Sequence, residues 1–64
     1  MKDKKIYNVA IKLLKNEGYK LSLDDKKYLR SCVDAIMEGE GVNYTIDELG
    51  EQLASVFIME QSNS

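Results

Sequence analysis

Histidine, proline and tryptophan are absent from these 64 residues, and cysteine occurs once, at position 32. Each absence removes a class of explanation. With one cysteine no intrachain disulfide can staple the fold, and one Cys without any His cannot build a four-ligand zinc site. The acids alone would have to hold calcium or magnesium, and none falls at EF-hand spacing. Neither metal nor cofactor is expected. Catalysis is not expected either. No histidine is present to act as a base, no serine sits in a nucleophile elbow, and no glycine-rich phosphate loop occurs. Nothing marks one carboxylate pair over another. A chain this short also has little room for a shielded pocket.

Long apolar runs are missing too. The longest is Val56–Met59, far too short to span a bilayer. The start, Met1-Lys2-Asp3-Lys4-Lys5 followed by apolar residues, differs from a signal peptide. Asn8 and Lys12 interrupt the apolar part, and no small-x-small cleavage site follows. With a lone cysteine, the expected compartment is the reducing cytoplasm.

Basic residues are absent from the second half. All nine lie at or before Arg30, against Asp3, Glu17, Asp24 and Asp25, which leaves that half near +5. Residues 31–64 hold seven acids and no base, near −7. The net charge of −2 thus conceals a dipolar molecule. Such asymmetry speaks to association and partners rather than to fold.

What is present has helical period. The spacing predicts a helix over 4–16, with Ile6, Val9, Ala10, Leu13 and Leu14 inward, Asp3 as N-cap and Gly18 as C-terminal cap. A second is expected over 23–38, capped by Ser22, with Asp24 and Asp25 in the first turn and Gly39 and Gly41 at its end. Tyr28, Leu29, Cys32, Val33, Ala35 and Ile36 form its apolar face, on which Cys32 reads as a small hydrophobe. The third, over 46–60, opens on a capping box, Thr45 to Glu48, with Tyr44 and Leu49 as hydrophobic staple. Gly50 lies inside it, either as a tolerated helix glycine or as the point where another helix comes close. Residues 61–64 are expected to fray. Gly41–Tyr44 could form a short extended link.

The fold class is therefore all-α: a single small domain of three helices, the first and third packing on the second. A domain of this size buries only about 60% of its unfolded surface. Small folds lacking disulfide and metal staples rely on helix packing or oligomerisation, so a homodimer or higher oligomer is expected.

Three surfaces are candidates for function. Lys4, Lys5, Lys12 and Lys15 fall on one face of the first helix, roughly 100° wide, with Asn8 among them. Such a stripe suits phosphate contacts, or is a solvated polar face. No aromatic interleaves it for base stacking. The apolar arc of the same helix spans about 200°, twice what a surface helix needs. Tyr7, Ile11 and Leu14 are therefore candidates for self-association, together with Ile58 and Met59, which lie off the apolar face of the third helix. The acids Asp34, Glu38, Glu40 and Glu51 are candidates for docking a basic protein patch. Their alternative reading is solubility, as capping already accounts for Asp47 and Glu48.

Tyr44–Leu49 followed by Gln52-Leu53-Ala54 resembles the first helix of a helix-turn-helix unit. That pattern requires a turn and a recognition helix beyond Glu60, where few residues remain. The compact, charge-polarised, cofactor-free chain is also similar in type to small accessory proteins of bacteriophages and mobile elements. The expected function is a small cytoplasmic regulator, adaptor or inhibitor that binds a protein partner stoichiometrically. The alternatives are nucleic-acid binding through the lysine face, and a purely structural self-assembling protein.

Overall fold

A computed structural model describes residues 2–40 and 43–63, with the backbone only at positions 40 and 63. The chain forms three helices: α1 (Lys2–Asn16), α2 (Leu23–Glu40) and α3 (Ile46–Asn63). No strand occurs among the described residues, in keeping with the helical period of the sequence.

Each helix is set by local chemistry at its ends. Asp3 lies inside the first turn of α1 and Lys15 in the last, so both side chains oppose the helix dipole. Asp3 is therefore not the N-cap expected from sequence. The helix stops at Gly18, whose φ of 93° is left-handed. Tyr19 N–H donates to the Leu14 carbonyl at 3.0 Å and Gly18 N–H to that of Lys15 at 3.0 Å. This pair of bonds is the Schellman closure, and it satisfies carbonyls that the helix end would leave orphaned.

Helix α2 opens on a reciprocal pair. Asp25 N–H donates to Ser22 Oγ at 3.2 Å, and Ser22 N–H donates to Asp25 Oδ2 at 3.0 Å. It is a capping box closed by an aspartate. The helix continues through Gly39 to Glu40, so Gly39 does not end it. Gly41 lies outside the described residues, as does Val42 of the expected extended link. Asn43 and Tyr44 form a turn into α3. There Thr45 N–H donates to Glu48 Oε1 at 2.9 Å, and Glu48 N–H to Thr45 Oγ1 at 3.2 Å. Helix α3 runs past the expected end at Glu60 to Asn63. Within this last turn Ser62 Oγ donates to the Ile58 carbonyl at 3.1 Å, the back-bond typical of a helical serine.

The core is apolar throughout. Ile6, Ala10 and Leu14 from α1, Leu29 and Val33 from α2, and Leu49, Leu53, Ala54 and Phe57 from α3 are buried. No buried side-chain polar atom lacks a partner among the described residues. The most extensive contact joins α1 to α3, and α2 packs less extensively on each. This reverses the expected order, in which α2 was the central helix. The reason is Gly50. A Cβ there would lie 2.6 Å from Val9 Cβ and still nearer Val9 Cγ1, so the missing side chain is what lets α1 approach. Only Leu29 and Val33 of the expected α2 face are buried, while Tyr28 and Ala35 are exposed. Cys32 is half-buried and packs against the core with its thiol free.

Candidate functional surfaces

The outward side of α3 carries one candidate stripe. Along α3 the residues Glu48, Gln52, Val56 and Glu51, Ser55, Met59 follow one another at steps of three and four, which places them on a single stripe. With Tyr44 they line one shallow groove. Three large apolar side chains stand exposed in it: Met59 at 64%, Tyr44 at 39% and Val56 at 37%. Glu48 and Glu51 flank them and are exposed. The stripe is therefore apolar, acidic and uncovered.

Glu48 is anchored rather than free. The Thr45 N–H, and then the Thr45 hydroxyl 3.0 Å from Oε1, hold its carboxyl below the ordinary glutamate range, against a smaller opposing effect of desolvation. A depressed folded-state pKa contributes stability that is fully present above the unfolded-state pKa. That contribution is lost as pH falls through the folded value. In acid melts, Glu48→Gln is expected to flatten the fall of Tm with pH in this window, and Thr45→Ala, which removes the hydroxyl, to lessen it. An unchanged slope in Glu48→Gln would contradict the assignment.

A second groove lies between α1 and α3. It is lined by Leu13, Leu14, Glu17, Glu51, Ala54, Ser55 and Ile58. Leu14 forms its buried floor, and Leu13 and Ile58 are half-buried in its walls. Glu51 and Ser55 therefore border both grooves.

A third cleft lies between α1 and α2, lined by Asp3, Lys4, Tyr7, Arg30, Val33 and Asp34. The Arg30 guanidinium sits 5.1 Å from the Tyr7 ring centroid, a cation–π contact within the usual range. Two acids and two bases line this cleft, so it carries no net charge with which to select a ligand. On the other side of α2, Tyr28 stands near Cys32 and Glu60. The hydrogen bond with the Cys32 side chain, then burial and the charges of Cys32 and Glu60, raise the Tyr28 phenol above its ordinary range.

The structure divides the surfaces expected from sequence. Lys4, Lys5, Lys12 and Lys15 are all exposed on α1. The acids do not gather into one site. Asp34 borders the α1–α2 cleft, Glu51 borders the two α3 grooves, and Glu38 is exposed on α2 outside all three. The Glu40 side chain lies outside the described residues. Among the apolar candidates, Leu14 is wholly buried and is not available to a partner. It continues the Ile6–Ala10 row at steps of four, and that row faces the core. Tyr7 and Ile11 are half-buried and packed against the core, so much of the wide apolar arc is covered within one chain. Ile58 is half-buried as well, which leaves Met59 as the open member.

Sequence reasoning missed Val56 and Tyr44 as exposed residues. Val56 stands three residues after Leu53, yet it lies at the edge of the apolar arc rather than within it and is 37% exposed. Among the described residues no three His, Cys, Asp or Glu side chains are grouped so as to hold a metal, and no helix is long and apolar enough to cross a membrane. No protein-family model, curated protein or solved structure matches this chain.

Proposed function

We propose that this chain is a small, non-enzymatic, cytoplasmic binding protein that acts by stoichiometric occupation of a partner's surface, as a regulator, adaptor or inhibitor, using the outward stripe of α3. The observation that carries the reading is Met59, 64% exposed on a helix whose other large apolar residues, Val56 apart, are buried or half-buried. Methionine adapts to irregular partner surfaces. Contiguous exposed apolar residues with a polar rim mark interaction sites. The rim here is acidic, and the half of the chain that carries it contains no base. The matching partner is a basic protein surface that presents an apolar side chain.

Tagged capture from lysate of the native cell, run with and without nuclease, tests the reading, with wild type and Met59→Lys compared side by side. The substitution removes the apolar anchor and sets a positive charge against a basic partner. The expected result is one protein held near one-to-one by wild type and weakened at least about tenfold by Met59→Lys, or about 1.4 kcal/mol. Equal retention by both proteins would contradict the proposal. Nuclease-sensitive nucleic acid lost on Lys12→Glu would move the lysine face of α1 to first place, since such contacts weaken steeply with salt.

A further inference from the structure

The face that contains the α1–α3 groove is complementary to itself. Its centre is the apolar seam of Leu13, Ala54 and Ile58 over the buried Leu14. On the α1 side, Lys5 and Lys12 lie four residues before and three after Val9, so they share its row. Val9 itself abuts Gly50 of α3, which places that row along the seam, and both lysines are exposed. On the α3 side, Asp47, Glu51, Ala54 and Ile58 follow at steps of four, three and four. Asp47 and Glu51 are exposed, and Glu51 borders the groove. Apart from Glu17, which lines the groove beyond the end of α1, the face therefore reads basic edge, apolar seam, acidic edge.

A half-turn about an axis that lies in the face and runs along the seam brings a second copy opposite the first and exchanges the two edges. The basic edge of one copy then lies over the acidic edge of the other, and this contact occurs twice, while seam meets seam. This is the condition for an isologous two-fold interface. The occupant is already encoded in the chain, since all bases precede position 31 and Asp47 and Glu51 fall in the base-free half. Lysine stems can lie along the apolar seam while their ammonium groups reach the opposing carboxylates. A domain with nine buried core residues among those described gains from such a contact what small folds elsewhere obtain from disulfides or metals.

We infer that this face is a two-fold homodimer interface, in which Lys5 and Lys12 of one copy meet Asp47 and Glu51 of its partner. The inference does not depend on the partner-binding role of the α3 stripe. Met59 serves to test that role, and charge exchange tests the dimer. The experiment is sedimentation velocity over a range of protein and salt concentrations. Wild type is expected to dimerise, with a dissociation constant that rises as the Debye length shortens from about 10 Å at 0.1 M salt to about 3 Å at 1 M. Lys5→Glu with Lys12→Glu, and separately Asp47→Lys with Glu51→Lys, are each expected to be monomeric while keeping a helical circular-dichroism spectrum. Mixed in equal amounts, the two variants are expected to form a heterodimer, because both contacts are then restored. If a double exchange unfolds, the single exchanges Lys12→Glu and Glu51→Lys make the same test. A wild type that stays monomeric throughout, a dimer indifferent to either exchange, or exchanged variants that remain monomeric on mixing would each overturn the inference.

Discussion

Phe57→Ala is expected to leave the chain largely unfolded at room temperature. Phe57 is the largest side chain in the core and is 3% exposed. Its ring meets Tyr19 edge-on, with centroids 6.0 Å apart and planes at 81°, and Tyr28 at 6.5 Å. Tyr19 lies just after the Gly18 cap, Tyr28 on α2 and Phe57 on α3, so one ring ties together three parts of the chain. Truncating a buried phenylalanine costs about 3–5 kcal/mol. At about 0.05–0.15 kcal/mol per residue, a chain of this length has roughly 3–10 kcal/mol in total. The loss therefore removes much or all of the margin. Urea titration followed by circular dichroism reads it directly. Phe57→Leu, which keeps an apolar side chain in place, is expected to remain folded with a lower midpoint. A Phe57→Ala protein that melts like wild type would mean the three aromatics do not organise the core.

Gly50→Ala is the second large effect, and its sign runs against helix propensity. Alanine is favoured over glycine in a helix interior by up to about 1 kcal/mol. At Gly39, which is also helical, an added Cβ would meet nothing within 4 Å, and Gly39→Ala is expected to raise stability by about that amount. At Gly50 the added methyl would fall 2.6 Å from Val9 Cβ, nearer to Cγ1, and 3.4 Å from the Ile6 carbonyl. Val9 is β-branched and stiff about χ1, so the clash is relieved only by moving α1 off α3. Overpacking of this kind costs about 1–3 kcal/mol. The same substitution at two glycines of one protein thus changes stability in opposite directions, and thermal melts of the two variants make the comparison.

The contrast shows what the amino-acid order discloses and what it does not. Two termini were legible from local chemistry. Gly18 adopts the left-handed cap, and the Thr45–Glu48 box forms as spelled. The Ser22–Asp25 box was missed because an aspartate stands where the pattern usually has glutamate or glutamine. Periodicity correctly placed Ile6, Ala10, Leu29 and Val33 inward, yet it also offered Leu14 to a partner. A row of apolar residues says that a helix has an inward face, and nothing about which neighbour covers it. Pairing depends on shape across elements, and the decisive shape is the notch at Gly50, whose role the sequence left open between two readings. For the same reason α2 was expected at the centre and lies at the side. The functional surfaces follow from this rearrangement. With α1 and α3 paired closely, Lys5 and Lys12 of one helix and Asp47 and Glu51 of the other border a single outward face, a juxtaposition invisible in a linear list of charges.

The measurement that tests this account most directly is the double-mutant cycle of Gly50→Ala and Val9→Gly, read by urea denaturation. If α1 and α3 are held together by the fit of Val9 into the Gly50 notch, removing the whole Val9 side chain takes away both obstructing atoms, Cγ1 and Cβ. Gly50→Ala should then be at least about 1 kcal/mol less destabilising in the Val9→Gly background than in wild type, within the range seen for contacting residues. If the two effects add to within about 0.5 kcal/mol, as they do for sites that do not touch, the close approach of α1 to α3 at Gly50 is contradicted, and with it the joint α1–α3 face on which the dimer rests.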